Sequence, residues 1–256
     1  MIAAVALTNL VLGVAYCGYG VMTAVEMRRD WRTMGFSHFG AAWILMAFTC
    51  GPHHLIQGIH ILFEGRRGGE LDLFAVVVGL PVGVIWLALR VEAFAGGRGD
   101  RFIAGDPWYI KRAPIAAAAY LVALDVASFN VMRNSLHGPH LHPTIVANIG
   151  LVVLYNAIGW FILRTQLQNR PVMGGWSLSG VCLSAVFPTC ALMHAVFAVY
   201  SATGRYGYDV HGFVNDWMSI PAAMYFLWVV RGLYHDSLRD WNGVVPDVEP
   251  VLIEVG

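Results

Sequence analysis

The sequence is organised around a mixed apolar and polar stretch at positions 50–64, which reads CGPHHLIQGIHILFE. On a helix, the polar side chains of this stretch recur at a spacing that places them on one stripe. They are Cys50, His53, Gln57, His60 and Glu64. Because polar groups are costly in hydrocarbon, we expect the stripe to face a partner, water or an ion.

The composition is that of a membrane protein. Of the 256 residues, 57% are hydrophobic and 12% are charged, and the mean hydropathy is +0.60. A soluble domain carries about 25% charged residues. Together with several long apolar runs, these values predict an all-α, multi-pass protein in contact with the lipid bilayer. The formal net charge is zero, so nucleic acid is not an expected partner.

Seven apolar segments are predicted to cross the membrane as one bundle. They form a single transmembrane domain over residues 1–240, followed by a short polar C-terminal tail at 241–256. Pro143 is a favourable first residue for the fifth helix. The predicted spans are 2–24, 39–63, 73–94, 114–132, 143–163, 176–200 and 213–233.

The distribution of Lys and Arg predicts the orientation. With seven spans, 12 of these residues fall on the side that holds the C-terminus and 4 on the other side. The positive-inside rule then places the N-terminus outside and the C-terminus in the cytoplasm. We expect an integral protein of a bacterial-type cytoplasmic (inner) membrane.

Eight of the ten histidines fall at the predicted outer face, from four separate places in the sequence. Imidazole is the commonest metal ligand, and several imidazoles from rigid helices suit a transition metal such as iron, copper or zinc. The best candidate ligands are His53, His60 and His194. The second choices are His54, His137, His140, His142 and His211.

Each of these side chains also has a simpler interpretation. His54 points off the main stripe and can simply bond to a neighbouring helix. The loop HGPHLHP at 137–143 can be a plain turn with exposed histidines. The four cysteines lie in apolar segments without CxxC spacing, so they can be small buried apolar groups.

Two carboxyl groups are candidates for catalytic proton transfer or for fixing the imidazoles. Glu64 ends the polar stripe, and Asp125 lies in the middle of the fourth span, where an ionised carboxylate costs roughly 3 kcal/mol. Asp125 can instead pair with a nearby Asn or Tyr. Cys190 and His194 are four residues apart and share one helix face.

Three classes of function compete. A metal-dependent membrane oxidoreductase, or another membrane metalloenzyme, explains the number of histidines and the carboxyl groups. A haem b electron-transfer subunit needs two axial histidines, with His53 or His60 opposite His194, and Gly51 and Gly58 making room for the macrocycle. A metal-ion or proton transporter would use Asp125 as a relay.

The sequence also bears on partners and on two known classes of membrane protein. A site within the membrane favours an apolar substrate or a quinone, and short loops are compatible with other membrane subunits. The only lysine, Lys111, falls in a predicted loop, which excludes a retinal Schiff base in the last span. The HxxxH and HxxHH boxes of membrane desaturases are absent.

Overall fold

The computed structural model describes residues 1–63, 69–104, 108–136, 142–204 and 210–242, and it is an almost entirely helical bundle. The described residues form seven long helices and two short strands. In chain order they are α1 (Ile2–Met34), α2 (His38–Phe63), α3 (Glu70–Phe94), β1 (Phe102–Ile103), α4 (Trp108–Leu136), α5 (Pro143–Met173), β2 (Trp176–Ser177), α6 (Leu178–Ala202) and α7 (Val210–Asn242).

The predicted all-α, multi-pass membrane architecture is confirmed. Six of the seven described helices, α1 to α6, are long and apolar enough to cross a membrane, whereas α7 is not among these six. The helix count agrees with the seven predicted spans, but the seventh crossing and the orientation of the termini remain predictions. Large apolar side chains such as Leu7, Val14, Ile115 and Phe129 lie exposed on the outer faces of the bundle, as contact with lipid requires.

Local signals set several helix ends. His142 is the N-cap of α5 and accepts a hydrogen bond from the Thr144 backbone N–H, and the predicted helix start at Pro143 is confirmed. At the other end of α5, Gly174 has a φ of 68°, a left-handed conformation that glycine adopts without strain. Helix α4 begins at Trp108, so Lys111 lies in its first turn and not in a loop.

A small antiparallel ladder closes one end of the bundle, and the sequence did not predict it. Strand β1 pairs with β2, with Phe102 opposite Ser177 and Ile103 opposite Trp176. The carboxylate of Asp100 accepts hydrogen bonds from the Ser177 hydroxyl and the Ser179 backbone N–H. These contacts fix the start of α6, the helix that carries His194.

The helices pack in an order that brings α2, α5, α6 and α7 around one interior. Helix α1 packs against α2 and α3, α5 packs against α6 and α7, and α2 packs against α7. An aromatic layer packs between α1, α2 and α3, with ring centroids of Tyr19 and Trp86 4.4 Å apart and those of Trp43 and Trp86 4.6 Å apart. We call the bundle end with the α2–α3, α4–α5 and α6–α7 connections the histidine end.

Close packing of α1 against α2 depends on glycine. A Cβ atom at Gly58 would lie 2.8 Å from Leu10 Cγ, and one at Gly51 would lie 2.6 Å from Cys17 Sγ. Gly51 and Gly58 therefore let helix α1 pack closely, and their role beside a macrocycle stays a prediction. Small residues at helix contacts are a common packing device in membrane bundles.

Candidate functional site: a buried histidine cluster

Three of the predicted ligands lie buried at the histidine end of the bundle. His53 and His54 come from α2 and His194 comes from α6, and these side chains are 8%, 2% and 4% exposed. The ring centroids of His53 and His194 are 5.6 Å apart. His54 directly follows His53 on α2, and the three imidazoles are here called the histidine cluster.

Asp216 on α7 joins two of these imidazoles. Its Oδ1 atom lies 3.4 Å from His53 Nδ1 and 3.7 Å from His194 Nδ1. The Asp216 side chain is only 3% exposed, and a buried carboxylate is costly unless it is paired or neutralised. The cluster is therefore a set of coupled acid and base groups from α2, α6 and α7.

Asn148 on α5 connects His194 to Asp216 and fixes a proton position. Its Nδ2 atom donates to Asp216 Oδ2 at 2.7 Å and to the Thr144 carbonyl at 2.9 Å. The amide oxygen therefore faces His194 Nδ1, at 2.7 Å. Because an amide oxygen only accepts hydrogen bonds, His194 Nδ1 carries a proton, and Nε2 is the basic nitrogen of the neutral ring.

Asn9 on α1 fixes His54 in the same way. Asn9 Nδ2 donates to the Val5 carbonyl at 2.9 Å, and Asn9 Oδ1 accepts from His54 Nδ1 at 2.8 Å. The other ring nitrogen, His54 Nε2, is buried without a hydrogen-bond partner among the described residues. A buried lone pair left in this state is costly, which marks Nε2 as a candidate ligand atom.

His53 lies between a donor and an acceptor. Asn215 Nδ2 is 3.1 Å from His53 Nδ1 and also donates to the Thr49 carbonyl at 3.0 Å. The Oδ1 atom of Asp216 is 3.4 Å from the same ring nitrogen. Nδ1 can accept from Asn215 when it is unprotonated, or interact with Asp216 when it carries a proton.

The remaining predicted site residues have other positions. His60 is buried near the end of α2, two turns beyond His53. His142 caps α5 and contacts Thr144. His211 lies in the first turn of α7, and its side chain is outside the described set. Glu64, His137 and His140 lie outside the described residues.

Asp125 pairs with an asparagine, as the simpler interpretation of this residue predicts. Its Oδ1 accepts a hydrogen bond of 2.7 Å from Asn156 Nδ2, across the contact between α4 and α5. The side chain is partly buried, and the bond links two helices. A catalytic role for Asp125 stays a prediction.

Two tyrosines and two cysteines line the next turns toward the middle of the bundle. The Tyr155 ring centroid is 5.3 Å from that of His194, and its hydroxyl is 3.2 Å from Cys50 Sγ. The Tyr16 hydroxyl is 3.3 Å from Cys190 Sγ, and its ring is 5.4 Å from the His54 ring. Redox-active side chains therefore adjoin the cluster on two sides.

Sequence reasoning missed two members of this network. Asn9 is the one amide side chain in the largely apolar first span, and that contrast was the available signal. Asp216 is a carboxylate within the predicted seventh span, and it is not among the predicted site residues. Asparagine and aspartate in membrane helices are functional candidates by default.

As the side chains stand, no three His, Cys, Asp or Glu residues within the described ranges are arranged to hold a metal ion. Comparison with protein families, curated proteins and solved structures found no match to this chain.

Proposed function

We propose that this chain is an integral membrane metalloprotein that binds one transition-metal ion in the histidine cluster. The ligands are the Nε2 atoms of His53, His54 and His194. The observation that carries the proposal is the approach of two buried imidazoles to one carboxylate, Asp216. Histidines that bind metal usually give their second ring nitrogen to a carboxylate or a carbonyl, which orients the ring.

The spacing of the two rings supports a shared ion. Imidazoles that bind one ion through nitrogens 2.0–2.1 Å away have ring centroids about 5 to 6 Å apart. The centroids of His53 and His194 are 5.6 Å apart. A small rotation of the side chains, with Nδ1 still held by Asp216 and Asn148, would close the site.

We assign the metal site to the oxidoreductase class because of its neighbours. Tyr155 packs against His194 and contacts Cys50, and both side chains can lose an electron together with a proton. Imidazole ligands suit iron, copper and zinc, of which iron and copper change redox state. An apolar substrate or a quinone fits a site within the membrane, as the sequence predicts.

The geometry favours a bare ion over haem b between His53 and His194. Their Nδ1 atoms both lie within 3.7 Å of one carboxylate oxygen. Two axial ligands of one haem instead point these ring edges away from each other, on opposite sides of the macrocycle. Helix α1 also occupies the space beside Gly51 and Gly58.

The aromatic layer bears on the transporter alternative. Tyr19, Trp43 and Trp86 pack edge to face between α1, α2 and α3, and all three are at most 6% exposed. An ion path through the bundle would have to cross this layer. The packing supports a site that is reached from the histidine end.

Proton binding by the same cluster is a second candidate function. The observation that favours it is that His53 can accept from Asn215 or interact with Asp216, depending on its protonation. Histidine changes charge near neutral pH when its environment permits. In this case the cluster would take up and release protons without a metal.

One experiment separates these functions: an absorption spectrum with elemental analysis of the detergent-purified protein. Stoichiometric iron, copper or zinc without a Soret band supports the proposed metal site. A Soret band that shifts on reduction supports haem b. Neither signal, after reconstitution with each metal has also failed, leaves the proton-binding function and contradicts the metal site.

A further inference from the structure

Three sulfur-containing side chains line a small cavity between α2 and α6. They are Met46, Cys50 and Cys190, and the cavity volume is about 10 Å³, which is about the space that one atom-sized guest such as a water molecule or a metal ion needs. Met46 is 1% exposed and Cys190 is 5% exposed. The rest of the lining is aromatic or aliphatic: Tyr16, Trp43, Ala47, Val186 and Phe187.

The two thiols line the same cavity, Cys50 from α2 and Cys190 from α6. Tyr155 contacts Cys50 Sγ at 3.2 Å, and Tyr16 contacts Cys190 Sγ at 3.3 Å. Met46 lies four residues before Cys50 and therefore shares its helix face. Side chains from four helices, including two tyrosine hydroxyl groups, thus position the sulfur atoms around one space.

We propose that this sulfur cavity is a binding site for a soft monovalent metal ion, Cu(I), separate from the histidine cluster. Thiolate and thioether sulfur select Cu(I) over harder ions. A lining of Trp, Phe and Val side chains offers no carboxylate that would favour those harder ions. The inference uses different ligands from the proposed function and does not depend on it.

The binding step exchanges one ion for another. Cu(I) replaces the proton of one thiol, so an S–Cu bond forms, an S–H bond breaks and one H⁺ leaves. The charge of the cavity does not change, which matters because a net charge buried in the membrane is costly. The second thiol and the Met46 thioether complete the coordination, and no electron is transferred.

The test is an anaerobic titration of reduced, metal-free protein in detergent with Cu(I), against the chelator bicinchoninate. We expect wild type to bind Cu(I), with sulfur neighbours in X-ray absorption. The double variant Cys50→Ser/Cys190→Ser should lose affinity by at least about 100-fold. The matched control Cys17→Ser/Cys182→Ser removes the other two cysteines and should bind as wild type does.

A third variant separates this inference from the proposed function. His53→Ala/His194→Ala should keep sulfur-bound Cu(I) even if it loses the metal of the histidine cluster. The inference is overturned if the Cys50→Ser/Cys190→Ser variant binds Cu(I) as tightly as wild type. Only nitrogen or oxygen neighbours in wild type would also overturn it, and that measurement needs no variant to fold.

Discussion

His194 donates its Nδ1 proton to the side-chain oxygen of Asn148 across 2.7 Å, inside the membrane-spanning bundle. The orientation of the amide is fixed by two acceptors on its nitrogen, the Asp216 carboxylate and the Thr144 carbonyl. One ring nitrogen of His194 is thus committed to a hydrogen bond, and the other is basic.

Replacing Asp216 with Asn should weaken metal binding without removing a ligand. The substitution keeps the shape of the side chain but removes the charge near His53 and His194. Loss of such an orienting partner typically lowers metal affinity about 10- to 100-fold. A competition titration with a chelator measures the change. Asp30→Asn, an exposed carboxylate that pairs with Arg29, is the control, and equal affinities for both variants would contradict the account.

The third ligand can be identified by comparing two histidines on α2. His54→Ala removes an imidazole whose Nε2 is buried without a hydrogen-bond partner among the described residues. His60 lies seven residues beyond His53, about 10 Å along a helix, which is far for a shared ion. We expect a larger loss of bound metal in His54→Ala than in His60→Ala, measured by elemental analysis. A larger loss of bound metal in His60→Ala would instead indicate that His60 is the third ligand.

Asn148→Ala should destabilise the bundle. The side chain is fully buried and bonds to residues of α6 and α7. Removing it leaves buried polar groups unsatisfied, at a cost of about 1–2 kcal/mol in a membrane protein. Unfolding in increasing SDS measures the difference. Asn130→Ala, an exposed asparagine on α4, should change the free energy of unfolding by less than about 0.5 kcal/mol.

Gly58→Ala should separate α1 from α2. The added methyl group would lie 2.8 Å from Leu10 Cγ and 3.0 Å from the Ala6 carbonyl oxygen, and the backbone atom has little freedom to move. We expect a loss of about 1–3 kcal/mol in the free energy of unfolding.

The matched control for this substitution is Gly150→Ala on α5. A Cβ atom there would have no heavy atom within 4 Å. Helix propensity alone should therefore determine the effect, and it predicts that the free energy of unfolding rises by up to about 1 kcal/mol. If both alanine variants unfolded alike, close packing at Gly58 would not be the cause.

Much of the fold could be predicted because helix formation in a membrane is a local property. A long apolar segment satisfies its own backbone hydrogen bonds as a helix, and Pro143 set a helix start from its own geometry. The strands β1 and β2 could not be predicted, because two residues each carry no periodic pattern. Their pairing depends on loops that the tertiary fold brings together.

The candidate site could be predicted only in part. The heptad spacing of His53 and His60 placed them on one helix stripe, and His194 was expected at the same level. The identity of the groups that face them depends on how the helices are rotated, which spacing alone does not determine. The contacts of Asn9 with His54 and of Asp216 with His53 therefore depend on how α1 and α7 pack against α2.

The central claim is that the histidine cluster holds one metal ion, and metal stoichiometry in a matched set of variants tests it most directly. The matched set is wild type, His53→Ala/His194→Ala and the control His38→Ala. His38 begins α2 and its ring bonds to Tyr225 of α7. All three proteins would be purified identically, loaded and dialysed. We predict about one iron, copper or zinc ion per chain, bound through nitrogen, in wild type and control, and none at that site in the double variant. Equal nitrogen-bound metal in all three proteins, or none in any of them, would contradict the account.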